Sequence, residues 1–190
     1  LKKRFQKNFA VNIKEIGKPD QDAHLLAENI ALQAKTDIDC MAILDSGAGV
    51  ISPELYQARY LPYLKELVRL FREKGYDTPL LYYDKNISAS QYEWLSPLAF
   101  NALGIDHSHD LVKMANRFGH DYAFQGNLPP ETMSLPEAEA IPAIEAFLSN
   151  MKEVPATIRR GWVCGLGHGI LPTAREANVR HFIRLLRETF

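Results

Sequence analysis

Trp162-Val163-Cys164-Gly165-Leu166-Gly167-His168-Gly169-Ile170 is an apolar run that opens into glycines set around one histidine. Four earlier runs also end in polar residues able to do chemistry. Met41-Ala42-Ile43-Leu44 leads to Asp45-Ser46-Gly47-Ala48-Gly49, and Leu80-Leu81-Tyr82-Tyr83 leads to Asp84-Lys85-Asn86. Leu103-Gly104-Ile105 leads to Asp106-His107, and Tyr122-Ala123-Phe124 leads to Gln125-Gly126-Asn127. A helix-like stretch separates each run from the next. Strand, polar cluster, helix, repeated, is the pattern of a parallel α/β barrel whose working face lies at the carboxyl ends of its strands. A closed barrel of this kind needs eight strands in about 250 residues. Five strands leave two open edges, and bare edges are hazardous. The chain therefore reads either as an open doubly wound sheet or as part of a larger barrel.

The chain's 190 residues are enough for one domain with a real core. With 46% hydrophobic and 24% charged residues it has an ordinary globular composition. A net charge of −1 gives no global basic field for nucleic acid or an anionic membrane. No apolar run approaches the roughly 20 residues that span a bilayer. The opening Leu1-Lys2-Lys3-Arg4-Phe5 lacks both a methionine and an apolar signal core, so the chain reads as a fragment or a processed product. Cys40 and Cys164 sit beside or inside apolar runs and read as buried free thiols of a reducing cytoplasm.

Residues 1–20 read as loop-like, and no linker divides residues 1–190, so a single domain is expected. Asp20 or Asp22 is expected to cap a first helix through Leu32. Ser52-Pro53-Glu54 is a strong helix start, with a capping hydroxyl, proline at the first helical position and an acid near the positive dipole end. That helix should run to Lys74-Gly75, kinked or broken at Pro62. A third is expected from about Ala89 to Ala102, disturbed by Pro97. Ser108 is expected to cap a short helix ending before Gly119. Pro136-Glu137 should start one reaching about Lys152. Thr173-Ala174-Arg175-Glu176 reads as a capping box for the last.

These clusters together resemble the carboxyl-terminal half of the uroporphyrinogen decarboxylase family. The matching pieces are Asp45-Ser46 with Ala48-Gly49, Leu61-Pro62-Tyr63-Leu64, Gly104-Ile105-Asp106, Gln125-Gly126-Asn127-Leu128 with Pro130, and Leu166-Gly167-His168-Gly169-Ile170. The resemblance covers nearly everything from about residue 20 onward. It implies a partial TIM (β/α)8 barrel, about strands four to eight, from a cytoplasmic, homodimeric enzyme. The implied reaction removes the acetate carboxyl groups of uroporphyrinogen, giving coproporphyrinogen, with no metal and no organic cofactor. It implies an absent amino-terminal half carrying the arginine-rich substrate loop and the pyrrole-binding aspartate, so this portion alone is expected to be inactive. The family's pattern places substrate hydrogen bonding on Ser46 and His168 and a cleft wall at Leu44, with no catalytic residue assigned to this portion. Gly47, His107, Pro129 and Gly165 depart from the family's usual residues and mark a divergent member.

The residues also carry plainer readings. Asp45 at a strand end orients substrate or, the favoured reading, caps a loop. Ser46 is not the serine of a hydrolase elbow, since Leu44 stands where the first glycine of that motif belongs. Asp106-His107 with His109 has ligand chemistry, but nothing in the spacing makes three ligands converge. The glycines of residues 165–169 do not form a dinucleotide fingerprint. Asn127 is expected to brace neighbouring strand ends. Arg159-Arg160 reads as a solvated pair rather than a carboxylate clamp. Two other functions compete: a zinc-dependent corrinoid or thiol methyltransferase of the same superfamily, and a non-catalytic half-barrel. The methyltransferase needs a His-x-Cys pair and a later cysteine. Here Cys164 precedes the glycine cluster, and His168 occupies the later cysteine's place.

Overall fold

Proline at position 62 governs the longest helical stretch of the amino-terminal part. In the computed structural model, which describes residues 19–190 apart from 37, 46 and 47, the helix begins where Ser52 Oγ accepts from the Leu55 amide at 3.2 Å. Three α-helical residues, Pro53–Leu55, give way to a π-helical turn, Tyr56–Tyr60, and then to Leu61–Glu73. Pro62 has no N–H and its ring crowds the carbonyl one turn back. The backbone widens ahead of it, and the Leu61 amide donates to the Tyr56 carbonyl five residues earlier. The expected break at Pro62 is thus a π-turn upstream of it. The helix ends before Gly75, which has φ 83°.

In chain order the elements are α1 (Pro19–Ala34), β1 (Met41–Asp45), α2 (Pro53–Leu55), α3 (Leu61–Glu73), β2 (Leu80–Asp84), α4 (Ala89–Trp94), β3 (Ala102–Gly104), α5 (Leu111–Phe118), β4 (Ala123–Leu128), α6 (Glu137–Lys152), α7 (Ala156–Arg159), β5 (Trp162–Leu166) and α8 (Glu176–Thr189). The hydrogen-bonded strand order is β1-β2-β3-β4-β5. Strands alternating with helices make this an α/β fold. The chain forms two compact units, one ending at Ala102 and one running Leu103–Phe190.

In the first unit β1 and β2 pair in parallel, from Met41 opposite Leu80 to Asp45 opposite Asp84. Helix α1 packs on α3, burying Ala23, Ala27, Ile30 and Ala31 on one side and Leu64, Leu67, Val68 and Phe71 on the other. Arg72 ties the end of α3 to the start of β2, donating to the Tyr76 and Thr78 carbonyls at 3.0 and 2.8 Å and to Asn101 Oδ1 at 3.1 Å. In the second unit β4 and β5 pair in parallel, from Phe124 opposite Trp162 to Leu128 opposite Leu166. Its core holds Leu128, Met133, Ile144, Leu148 and Phe182, each contributing about 1.5–3 kcal/mol of apolar burial.

Several expected boundaries move. Helix α1 is already helical at Pro19, so Asp20 and Asp22 lie inside it rather than before it. The expected amino-terminal loop falls mostly on residues 1–18, outside the described residues. Helix α4 stops at Trp94, because Pro97 cannot continue it, and Ala102 begins β3. Asp110, not Ser108, caps α5, its carboxylate accepting from the Lys113 amide at 3.1 Å. Helix α8 has Arg175 at its cap with no side-chain bond, while Thr173 meets Ser134 at 2.8 Å, so the expected capping box does not form. Cys40 is exposed and Cys164 half-buried. Arg159 is no solvated cation: Nη1 donates to the Met151, Lys152 and Val154 carbonyls at the end of α6, and its guanidinium lies over Phe190. Among the described residues, no helix is long and apolar enough to cross a membrane.

Candidate functional site

Position follows from strand geometry: a residue just beyond a parallel strand sits at the strand's carboxyl end, whatever its side chain. In the first unit Asp45 and Asp84 end their strands opposite one another. Asp45 is only 4% exposed and Asp84 fully buried. Asp45 Oδ2 accepts from the hydroxyl of Tyr60 and, at 3.0 Å, from that of Tyr82. Its Oδ1 accepts from the Ala48 amide at 3.2 Å, and Asp84 Oδ1 accepts from the Gly49 amide at 3.2 Å. The two carboxylates thus hold the chain leaving β1. Burial first, and the Asp45 carboxylate second, push the Tyr60 and Tyr82 phenols well above their ordinary range, so both stay protonated as donors. This is the geometry of a loop anchor. Leu44, half-buried, stands opposite Tyr83 in the register. Ser46 lies outside the described residues.

In the second unit three strand exits carry polar groups. Asp106 is 1% exposed, and its Oδ1 accepts from the Ser108 amide at 2.7 Å, closing an Asx turn after β3. Asn127, near the end of β4, donates from Nδ2 to the Asp106 and His109 carbonyls, both at 2.8 Å. It braces the neighbouring strand exit, as expected. Gly126, with φ 121°, has no room for a side chain, since a Cβ would lie 2.4 Å from the Ile105 carbonyl oxygen.

The Asx turn aims the loop so that His107, rather than His109, meets the exit of β5. The His107 and His168 rings contact edge-on, with centroids 5.2 Å apart. The third member is Glu131, in the turn Pro130–Ser134 after β4. One ligand atom from each of His107, Glu131 and His168 lies within 4.8 Å of the others. His168 Nδ1 stands 2.9 Å from the Gly169 carbonyl. His107 Nδ1 is buried and has no hydrogen-bond partner among the described residues. The Glu131 turn is itself braced: Asn178, 1% exposed, donates from Nδ2 to the Met133 and Leu135 carbonyls at 3.1 and 2.9 Å, and the Arg175 amide donates to the Met133 carbonyl at 2.8 Å.

Of the residues singled out in the sequence, His168 and Asp45 stand at strand exits, each in its own unit. Asp106 is occupied in its own turn rather than joining a ligand group with His107 and His109. Glu131 and Asn178 escaped the sequence reading. Glu131 is one acid in a polar turn, and only its place after a strand between two histidine-bearing exits marks it.

A family model described as Uroporphyrinogen decarboxylase (URO-D) matches residues 21–189. The chain is similar to a protein named uroporphyrinogen decarboxylase from Crocosphaera subtropica, at 31% identity over 167 residues, which covers 86% of this chain and 45% of that one. A protein of the same name from Chlorobium phaeobacteroides is 27% identical over 194 residues, covering 96% of this chain and 53% of the other. Among solved structures, a methyltransferase from Methanosarcina mazei superposes with a TM-score of 0.69 at 16% identity, over 89% of this chain and 47% of that one. At that identity the likeness is one of fold alone. The chain spans about half the length of the curated relatives it matches.

Proposed function

The chain belongs to the uroporphyrinogen decarboxylase family, and from this we infer that it supplies the carboxyl-terminal wall of a site that decarboxylates the acetate side chains of uroporphyrinogen. On this reading it contributes about strands four to eight of a (β/α)8 barrel. An amino-terminal half completes that barrel, and the whole pairs as a cytoplasmic homodimer. The reaction needs no cofactor. Protonation of a pyrrole carbon makes the ring an electron sink, the bond between the acetate methylene and its carboxylate breaks, and its electron pair enters the ring. Carbon dioxide leaves and a proton takes its place on the methylene, while the ring carbon returns its own. What the protein must add is position and charge.

His168 is the observation that carries the reading. It leaves β5 between two glycines, half-buried, with Nδ1 engaged by a backbone carbonyl and Nε2 left to accept a hydrogen bond from substrate. The family's pattern makes Ser46 the second hydrogen-bonding group and Leu44 a cleft wall, while Asp45 accepts from the Ala48 amide beyond them. The methyltransferase reading has a fold neighbour behind it, but the sequence contains no His-x-Cys pair.

The test is anaerobic conversion of uroporphyrinogen, resolved by chromatography of the oxidised products. The chain co-purified with the amino-terminal half of the Crocosphaera relative should form coproporphyrinogen, and the chain alone should not. His168→Ala should slow the assembled enzyme about 2–10-fold, the net worth of one neutral hydrogen bond. A co-purified pair that leaves the substrate untouched would overturn the proposal.

A further inference from the structure

We propose that His107, Glu131 and His168 form a binding site for a divalent transition-metal ion of the zinc class. The inference does not rest on the decarboxylase reading: zinc and substrate would take the same free nitrogen of His168 in turn, so the ion's retention is measured without substrate.

Three observations carry it. The first is convergence. The residues come from the exits of β3, β4 and β5, and their ligand atoms lie within 4.8 Å of one another. Metal–ligand bonds of about 2.1 Å at tetrahedral angles set donor atoms about 3.4 Å apart, so small side-chain rotations close the set around one ion. The second is the state of the imidazoles. A carbonyl oxygen only accepts, so His168 Nδ1, at 2.9 Å from the Gly169 carbonyl, carries the proton and leaves the lone pair on Nε2. A ligating histidine is oriented in this way, by its other nitrogen donating to a backbone carbonyl. His107 Nδ1 is buried without a partner among the described residues, and a buried polar atom left unpaired calls for a ligand.

The third observation is the scaffold. A Cβ at residue 167 would fall 2.4 Å from the His107 amide nitrogen, so only glycine lets the two histidine-bearing exits come this close. Asn127 fixes the loop that carries His107, and Asn178 fixes the turn that carries Glu131. Ligands held on strand ends by their own hydrogen-bonded supports are preorganised rather than gathered by the ion. Two imidazoles and a carboxylate are a donor set that suits zinc, with a fourth position left for water or a substrate oxygen. Cys164 is a poor competitor, since burial pushes its thiol up to about 12.

The experiment is equilibrium dialysis of the full chain against Zn2+, followed by elemental analysis, with cobalt(II) substitution as a spectroscopic readout. One equivalent should be retained. His107→Ala and His168→Ala should each weaken binding by more than the 10–100-fold that loss of a supporting partner costs. Glu131→Gln, at an exposed position that cannot threaten folding, should weaken it at least about tenfold. His109→Ala and Cys164→Ser should bind as the parent does. The cobalt form should show d–d bands without sulfur charge transfer. Retention well below one equivalent by the parent chain, unchanged affinity in Glu131→Gln, or a sulfur charge-transfer band would overturn the proposal.

Discussion

Gly167 is buried, and its amide donates to the Leu128 carbonyl at 2.8 Å while its missing side chain makes room for His107. Alanine there must push the β3 exit away from β5. Gly167→Ala should lower unfolding stability by about 1–3 kcal/mol in urea denaturation, the usual cost of overpacking. It should also separate the two imidazoles, so that zinc affinity falls although no ligand has been removed. The glycine frame around His168 was legible in the sequence, because glycine is informative wherever backbone must approach backbone. That His107 and not His109 faces it was not legible. The choice is made by the Asx turn of Asp106 on the Ser108 amide, and a two-residue difference along a loop has no periodicity to read.

Helix ends show a similar division. Prolines 62 and 97 announced interruptions, since a missing N–H acts in any context. Caps depended on which polar residue met the first turn. Helix α5 takes Asp110 although Ser108 is chemically as suitable, because Ser108 is already folded into the preceding turn. The Lys113 amide, with the Lys113 ammonium adding to it, holds the Asp110 carboxyl below its usual range. A depressed carboxyl contributes stability that is fully present above the unfolded value of about 3.9 and is lost as pH falls through the folded value. Asp110→Ala should therefore cost about 1 kcal/mol at pH 7 in chemical denaturation. The gap between parent and variant should close as the solution is acidified through the carboxylate range. A gap that stays constant down to low pH would show that Asp110 is not acting through its charge.

For the protein as a whole, a ligand that binds only the folded chain raises its stability. At free zinc 100 times its dissociation constant the gain is about 2.7 kcal/mol. All three ligands belong to the unit Leu103–Phe190, so calorimetry should show the transition of that unit rising on the order of 10 °C with zinc. The rise should vanish with chelator and fall by about half or more in Glu131→Gln. The alternation of strands, polar exits and helices, and with it the α/β class, could be read from residues in order, because burial periodicity and turn chemistry are local properties of the chain; the family was legible only as a resemblance in its motifs. Which exits converge could not. His107, Glu131 and His168 are brought together by strand pairing and by glycines that admit neighbouring backbone, and Asp45 is turned into a loop anchor by Tyr60 and Tyr82. Contacts between residues far apart in sequence exist only once the strands have paired, so their chemistry is a property of the tertiary structure.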